Sequence, residues 1–374
     1  MKNKIFFLAI FFFLLSLVGC GKYGEDDIIN DLKKKVEKAD SYRIVGVLEI
    51  TNNDDTYQYD VDASYKEEDN YRVGLTNKAN NHEQIILKNE EGVYVITPSL
   101  NKSFKFQSDW PKNNSQIYLL GSLLEDITND KDRTFEEING QYVFTTKVNY
   151  PNNSQLVKQK ITVDKDLNIK TVEVLNSNDI PQMIMTFNSI DWHSDFNDDY
   201  FDLNSIVDKI ELNNEGTKNN DVTENNETET NKKETNDTGE SNANGTDKKE
   251  ENGTKSTEQS SVIDDIIYPL YIPTGTSLTE QEKVSKTDGE RIILTFDGEK
   301  PFLLVEETSC IDEEFSVIPT FGEPYMLADT IGALTENSIT WSSNGIDYYI
   351  VSDAMSQLEL IEIASSISAI PTMK

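Results

Sequence analysis

The sequence predicts an α+β protein organised around one wide, curved antiparallel sheet. Three patterns carry that prediction. Apolar residues recur at every second position through long stretches between Tyr42 and Trp192. Their spacing changes to three and four around Ile28 to Val36 and Ile117 to Ile127. Clusters of Asn, Asp, Glu and Gly punctuate the alternating runs. Period two belongs to strands with one covered and one wet face, and period 3.6 to helices that lie against them.

The chain opens Met1-Lys2-Asn3-Lys4 and runs from Ile5 to Val18 almost without a polar atom. A short basic start followed by an apolar run is the layout of a secretory signal. The run, about 14 residues, is shorter than the roughly 20 needed for a membrane-spanning helix. Leu17-Val18-Gly19-Cys20 resembles the bacterial lipobox, in which the cysteine becomes the lipidated N-terminus. The expectation is a lipoprotein signal peptide over residues 1–19, lipidation at Cys20, a tether over 20–27, and a position on the extracytoplasmic face of the cell membrane. Two acyl chains, at about 0.8 kcal/mol per buried CH₂, anchor durably where one does not.

Ile28, Ile29, Leu32 and Val36 then make one stripe of an amphipathic helix, with Lys33, Lys34, Lys35 and Lys38 on its other side. Strands are predicted at 42–50, 57–65, 71–75, 84–88, 92–97 and 103–107. A second helix over 115–126 carries Ile117, Leu120, Leu123 and Leu124. Strands resume at 134–138, 141–149, 157–163, 168–175 and 182–192. Asn139-Gly140 and Asp164-Lys165-Asp166 supply hairpin turns. So many strands curl rather than lie flat, which places the helices in the concave face of a domain over 28–212.

Residues 213–262 are Asn, Thr, Glu, Lys and Gly with hardly an apolar side chain. Such a composition cannot offset its ordering entropy and is expected to be a disordered linker, with an end-to-end distance of roughly 40 Å. A small α+β domain follows over 263–374. Tyr268-Pro269 and Ile272-Pro273 read as an extended lead-in, with strands at 291–297, 301–306, 315–318, 338–341 and 346–351. Asn344-Gly345 marks a hairpin, and Ser356 with Glu359 forms a capping box ahead of the stripe Leu360, Ile363, Ala364, Ile367. Cys310 lacks a disulfide partner if Cys20 is lipidated, and is expected to be a buried, inert thiol.

With 67 acidic against 34 basic residues the net charge is −33, and the acidity is spread along the chain. Nucleic acid is excluded as a partner, because phosphate binding needs a basic footprint. Catalysis has no residues to rest on. The two histidines are His82 and His193, and consecutive residues such as Asp191 to Asp195 cannot form a triad on a strand, where neighbouring side chains point to opposite faces. Neither a P-loop nor a zinc-helix motif occurs, and no metal or cofactor is expected. What stands out is apolar surface. Phe104, Phe106, Trp110, Met183, Met185 and Phe187 lie on or beside predicted strands, and some are candidates to line a cavity for an acyl chain or an apolar segment.

Residues 28–205 resemble the LolA/LolB-like lipoprotein-carrier family. The resemblance rests on the amphipathic helix, the strand from Tyr42 to Ile50, the helix near Ile117 to Ile127, the hairpin ending in Lys102-Ser103-Phe104-Lys105-Phe106, and the Asp164-Lys165-Asp166-Leu167 turn. Within that family it is most similar to lipoproteins of spore-forming Firmicutes associated with sporulation and germination. It implies a half-closed barrel with helices in its mouth, and a protein that binds an acyl chain, a lipoprotein or an envelope partner. Residues 267–370 resemble a second Firmicute domain of unknown function, through Tyr268-Pro269, Ile272-Pro273, Trp341, Asn344-Gly345, Tyr348 and Ser366-Ile367. The functional expectation is a membrane-anchored, non-enzymatic binding lipoprotein. The alternative is a regulatory lipoprotein that controls a cell-wall amidase or an anti-sigma factor through protein contact. A carrier that shuttles between membranes is hard to reconcile with a lipid-anchored Cys20.

Overall fold

The alternation that begins at Tyr42 becomes strand β1 (Ser41–Asn52), and every neighbour in the chain adds to the same sheet. The computed structural model describes residues 23–52, 55–112, 115–220, 262–263, 265–287, 289–312 and 314–368. The proposed signal peptide and Cys20 lie outside them, as do residues 221–261 of the expected linker.

From β1 the chain meanders through β2 (Asp55–Lys66), β3 (Asn70–Asn77), β4 (Glu83–Asn89), β5 (Gly92–Thr97) and β6 (Lys102–Phe106). A second meander, β7 (Thr134–Ile138), β8 (Gln141–Lys147), β9 (Leu156–Val163), β10 (Ile169–Asn176) and β11 (Pro181–Trp192), returns so that β11 pairs antiparallel with β1. The strand order β6-β5-β4-β3-β2-β1-β11-β10-β9-β8-β7 is therefore two meanders joined back to back, and the sheet stays open. Asn139 and Gly140 both take positive φ, 51° and 79°, as a two-residue hairpin loop requires.

Helices α1 (Glu25–Glu37) and α2 (Leu120–Asn129) cover one face. Ile28, Ile29 and Leu32 of α1 and Leu120, Leu123 and Ile127 of α2 share one core with inward residues such as Ile44, Val61, Phe144 and Met185. Lys35 does not stay in solvent. Its ammonium donates to Asp166 O at 2.8 Å and Asn168 Oδ1 at 2.7 Å, and sits 4.7 Å from the Trp192 ring, fastening α1 to the β9–β10 turn. The second helix starts at Leu120 rather than 115. Residues before it are held as a buried turn, where Ser115 N–H donates to Asn149 O and Gln116 N–H to Ser122 Oγ.

Gly46 marks the register shift between β1 and β11. A Cβ there would lie 2.3 Å from Thr186 O and 2.5 Å from Met185 Cε. Gly46→Ala is expected to destabilise by about 1–2 kcal/mol through this overpacking; urea denaturation checks it, and an unchanged midpoint would refute the close approach.

Strands β4 and β5 are covered on both sides. Ile86, Val93 and Val95 face the main core, while Ile85, Leu87, Tyr94 and Ile96 meet Phe201, Leu203 and Ile206 on the outer face. Leu203 and Ile206 belong to α3 (Leu203–Asn220), a helix the sequence reading did not predict. Its backbone is helical to Asn220.

The second unit is a seven-stranded antiparallel sheet in the order β12-β13-β14-β19-β18-β17-β16. Its strands are β12 (Thr276–Lys286), β13 (Gly289–Gly298), β14 (Phe302–Thr308), β16 (Glu323–Met326), β17 (Ile331–Leu334), β18 (Ser338–Ser343) and β19 (Ile346–Val351). Helix α4 (Gln357–Ser368) closes one face, with Leu360, Ile363, Ala364 and Ile367 against Leu294, Leu304, Ile339 and Ile350. The capping box forms: Ser356 N–H donates to Glu359 Oε2 at 2.9 Å, and Glu359 N–H to Ser356 Oγ at 3.4 Å.

Between β14 and β16 the chain leaves this sheet. Residues 316–320 form β15 (Ser316–Thr320), which pairs in parallel with β6 and becomes the twelfth strand of the first sheet. Cys310, in the excursion toward it, is exposed, which corrects the expectation of a buried thiol. The apolar run that suggested burial ends with β14, and Cys310 falls in the loop beyond it.

Candidate functional site

The two units meet across the open end of the first sheet. Ile331 and Ala333 of β17 enter the first unit's core. The start of β17 is received by Gln84, a buried side chain whose Oε1 accepts from Ile331 N–H at 2.7 Å and from the Thr330 hydroxyl at 3.2 Å. Tyr59 donates its hydroxyl to Ala328 O at 2.7 Å, and Asn52 Nδ2 donates to Ser365 O at 2.8 Å. At the other edge Asn101 Nδ2 donates to Asp312 O and Lys102 Nζ to Cys310 O.

This junction does not fill. It leaves a cavity of about 770 Å³ between the concave face of the first sheet, the β16–β17 hairpin and α4, within the range of about 300–1,000 Å³ typical of small-molecule sites. Its wall is apolar: Leu48, Ile50, Ile86, Trp110 and Met183 on one side, Met326, Ile331 and Ile361 on the other. Its rim is amide and phenol. Gln155 Nε2 donates to Glu362 Oε1 at 3.0 Å, and Asn153 Nδ2 to the Tyr325 hydroxyl at 3.5 Å. Tyr118 and Tyr150 line it as well. Burial pushes both phenols well above their ordinary value, so they remain proton donors. Behind the wall Asp126 is pushed up to about 6, mainly by burial, while hydrogen bonds from Ser115 and Gln159 pull the other way.

A smaller cavity, about 340 Å³, also lined by β17, opens between Phe104 and Phe106 of the first unit and Val305, Thr340 and Tyr349 of the second.

The six residues singled out from sequence divide among three places. Trp110 and Met183 line the larger cavity, and Phe104 and Phe106 the smaller. Met185 and Phe187, at 0% and 3% exposure, are packed in the core of the first unit. The residues that close the cavity from the second unit, Tyr325, Met326, Ile331 and Glu362, were not foreseen. Local periodicity carries no record of which distant element a hairpin will face. Near the end of β11, Ser194 Oγ donates to Asp191 Oδ2 at 2.9 Å and Ser41 Oγ to Ser194 O at 2.6 Å, so this segment ties β11 to β1. No group of three metal-ligating side chains occurs among the described residues, and no helix among them is long and apolar enough to cross a membrane.

An open antiparallel sheet around two helices, with a second α+β unit closing an apolar cavity at its mouth, defines a two-unit α+β protein. No family model matches the chain. Over 366 residues it is 33% identical to the sporulation protein YdcC of Bacillus subtilis (strain 168), covering 98% of this chain and 96% of that one. The chain belongs to the family of that sporulation protein. Among solved structures it is similar to the Pseudomonas aeruginosa MucA/MucB complex, at 11% identity and a TM-score of 0.28 over 91% of this chain and 98% of that chain. It is also similar to an outer membrane lipoprotein-sorting protein domain from Vibrio parahaemolyticus, at 13% identity and a TM-score of 0.31 over 48% of this chain and 97% of that chain.

Proposed function

We propose that this protein is a membrane-anchored extracytoplasmic lipoprotein that acts in sporulation or germination by binding the acyl part of a lipid or lipoprotein, without catalysis. One observation carries the ligand class: the 770 Å³ cavity, walled by Leu48, Ile50, Ile86, Trp110 and Met183 and closed by Ile331. Burying an acyl chain there removes apolar surface from water at about 25 cal/mol per Å². Anchoring through Cys20 places the cavity near a membrane from which such a ligand can be taken. A palmitoyl probe with a photoactivatable terminus should crosslink to peptides that contain Trp110, Met183 or Met326. Crosslinks confined to the outer surface would refute the reading.

A second reading, control of a cell-wall amidase or an anti-sigma factor, is favoured by apolar side chains that stand in solvent on the second unit. Phe321 is 80% exposed and Leu270 is 71% exposed, with Tyr268 and Ile272 close to Leu270 in sequence. Copurification from sporulating cells separates the two. A stoichiometric protein lost on Leu270→Ser and Phe321→Ser, with no lipid retained, would replace the first reading by the second.

A further inference from the structure

The larger cavity is defined as much by its charge as by its apolar wall. Among the described residues lining it, Glu362 is the one charged side chain; lysine, arginine and histidine are absent. Polar contacts come instead from neutral groups: the amides of Asn153, Gln155 and Gln182 and the phenols of Tyr118, Tyr150 and Tyr325. Burial raises the phenols of both Tyr118 and Tyr150, and Tyr118, Asp126 and Tyr325 add to it at Tyr150. Lys158, two residues beyond the lining residue Leu156 in the chain, is paired with Asp179. Among the described residues the Glu362 carboxylate receives Gln155 and the Tyr271 phenol, and pairs with no ammonium or guanidinium.

An anionic headgroup brought to this rim would leave water without gaining a countercharge, and would face Glu362 across a partly desolvated space. The long-range field has the same sign, since the chain carries a net charge of −33. An uncharged polar end loses nothing of that kind. Its hydroxyl or amide donors can meet the Glu362 carboxylate and the amide oxygens, and its carbonyls can accept from the phenols.

We infer that the cavity is selective for acyl chains bearing an uncharged, hydrogen-bonding end, such as a glycerol ester or an acyl amide, and rejects free fatty acids and anionic phospholipids. This inference rests on the acyl-binding reading above and narrows it.

Calorimetric titration of the full mature chain at pH 8 with 1-monopalmitoylglycerol and with palmitate, which share one tail, tests it. The glycerol ester is expected to bind about tenfold or more tightly than the carboxylate. The double variant Gln155→Lys, Glu362→Gln exchanges the lone anion at the rim for a cation, and should shift the preference toward palmitate. Equal affinities in the wild type, or a preference for palmitate, would overturn the headgroup inference and leave the acyl cavity standing. Failure of both probes to bind would overturn the acyl-binding reading and the inference with it. Gln155 is exposed on a loop, so a circular-dichroism melt matching wild type confirms that the variant reports on binding rather than folding.

Discussion

Ile331→Asp is expected to pull the two units apart. Ile331 is buried within the first unit's core although it belongs to the second sheet. The substitution removes a large apolar side chain and sets an unpaired carboxylate among Ile86 and its neighbours. The loss of burial alone costs about 2–5 kcal/mol, and the stranded charge adds to it. The effect should fall mainly on the junction, because the second unit keeps a separate core around Leu294, Leu304 and Ile350, and Ile331 and Ala333 are what the second sheet contributes to the first unit's fully buried core. Small-angle scattering should show a larger radius of gyration, and the melt should lose cooperativity between the units. A variant with wild-type dimensions and melting temperature would mean that β17 is not what holds them.

The second large effect is expected at Glu306. This residue is fully buried on the helix-covered face of the second sheet, between Ile292 on β13 and Tyr348 on β19. Its two oxygens accept from Ile267 N–H at 3.1 and 3.2 Å, which clips the lead-in segment to the sheet. Burial pushes its carboxyl up to about 7, and the hydrogen bond from Ile267 only partly opposes that. The native state therefore holds a proton that the unfolded chain, with an ordinary value of 4.5, has released. Its contribution is fully present below about pH 4.5 and is lost as pH rises toward 7. Glu306→Gln keeps an acceptor for Ile267 and removes the charge. At pH 8 the variant should be more stable than wild type by about 2–3 kcal/mol, and near pH 4 the two should be alike. Urea titrations across that window check it. A variant that is less stable at pH 8 would show that the ionised carboxylate is needed to hold Ile267.

The contrast between these two sites explains how much could be read from sequence. The first sheet was legible nearly strand by strand, because residues such as Tyr57, Tyr59, Val61, Ala63 and Tyr65 alternate and one face is wet. Strand β12 was missed for the opposite reason. Thr276 to Lys286 is exposed on nearly every residue, and a strand with two wet faces has no period to detect. Strand β17, Ile-Gly-Ala-Leu, is buried on all four residues, so it too lacks alternation. Strand β15 was visible as a strand near 315–318, but its place beside β6 was not. A parallel pairing between elements some 200 residues apart leaves no local trace.

The cavity follows the same logic. Trp110 and Met183 were picked out because aromatic and thioether side chains at strand positions suit an apolar surface. The same signal selected Met185 and Phe187, which are core. What separates them is the second unit, since a wall becomes a cavity only where another body stops short of it. Substituting Met185, which is completely buried, would test folding; Met183, which is half-buried and lines the cavity, tests binding.

Native mass spectrometry of the mature chain purified from its own host's envelope therefore bears most directly on the acyl-binding claim. Wild-type protein should carry one copurifying acylated molecule per chain, and Met183→Asp, folded by its melt, should arrive without it. A wild-type mass that is bare, or an adduct that survives Met183→Asp unchanged, would contradict the cavity as the binding site.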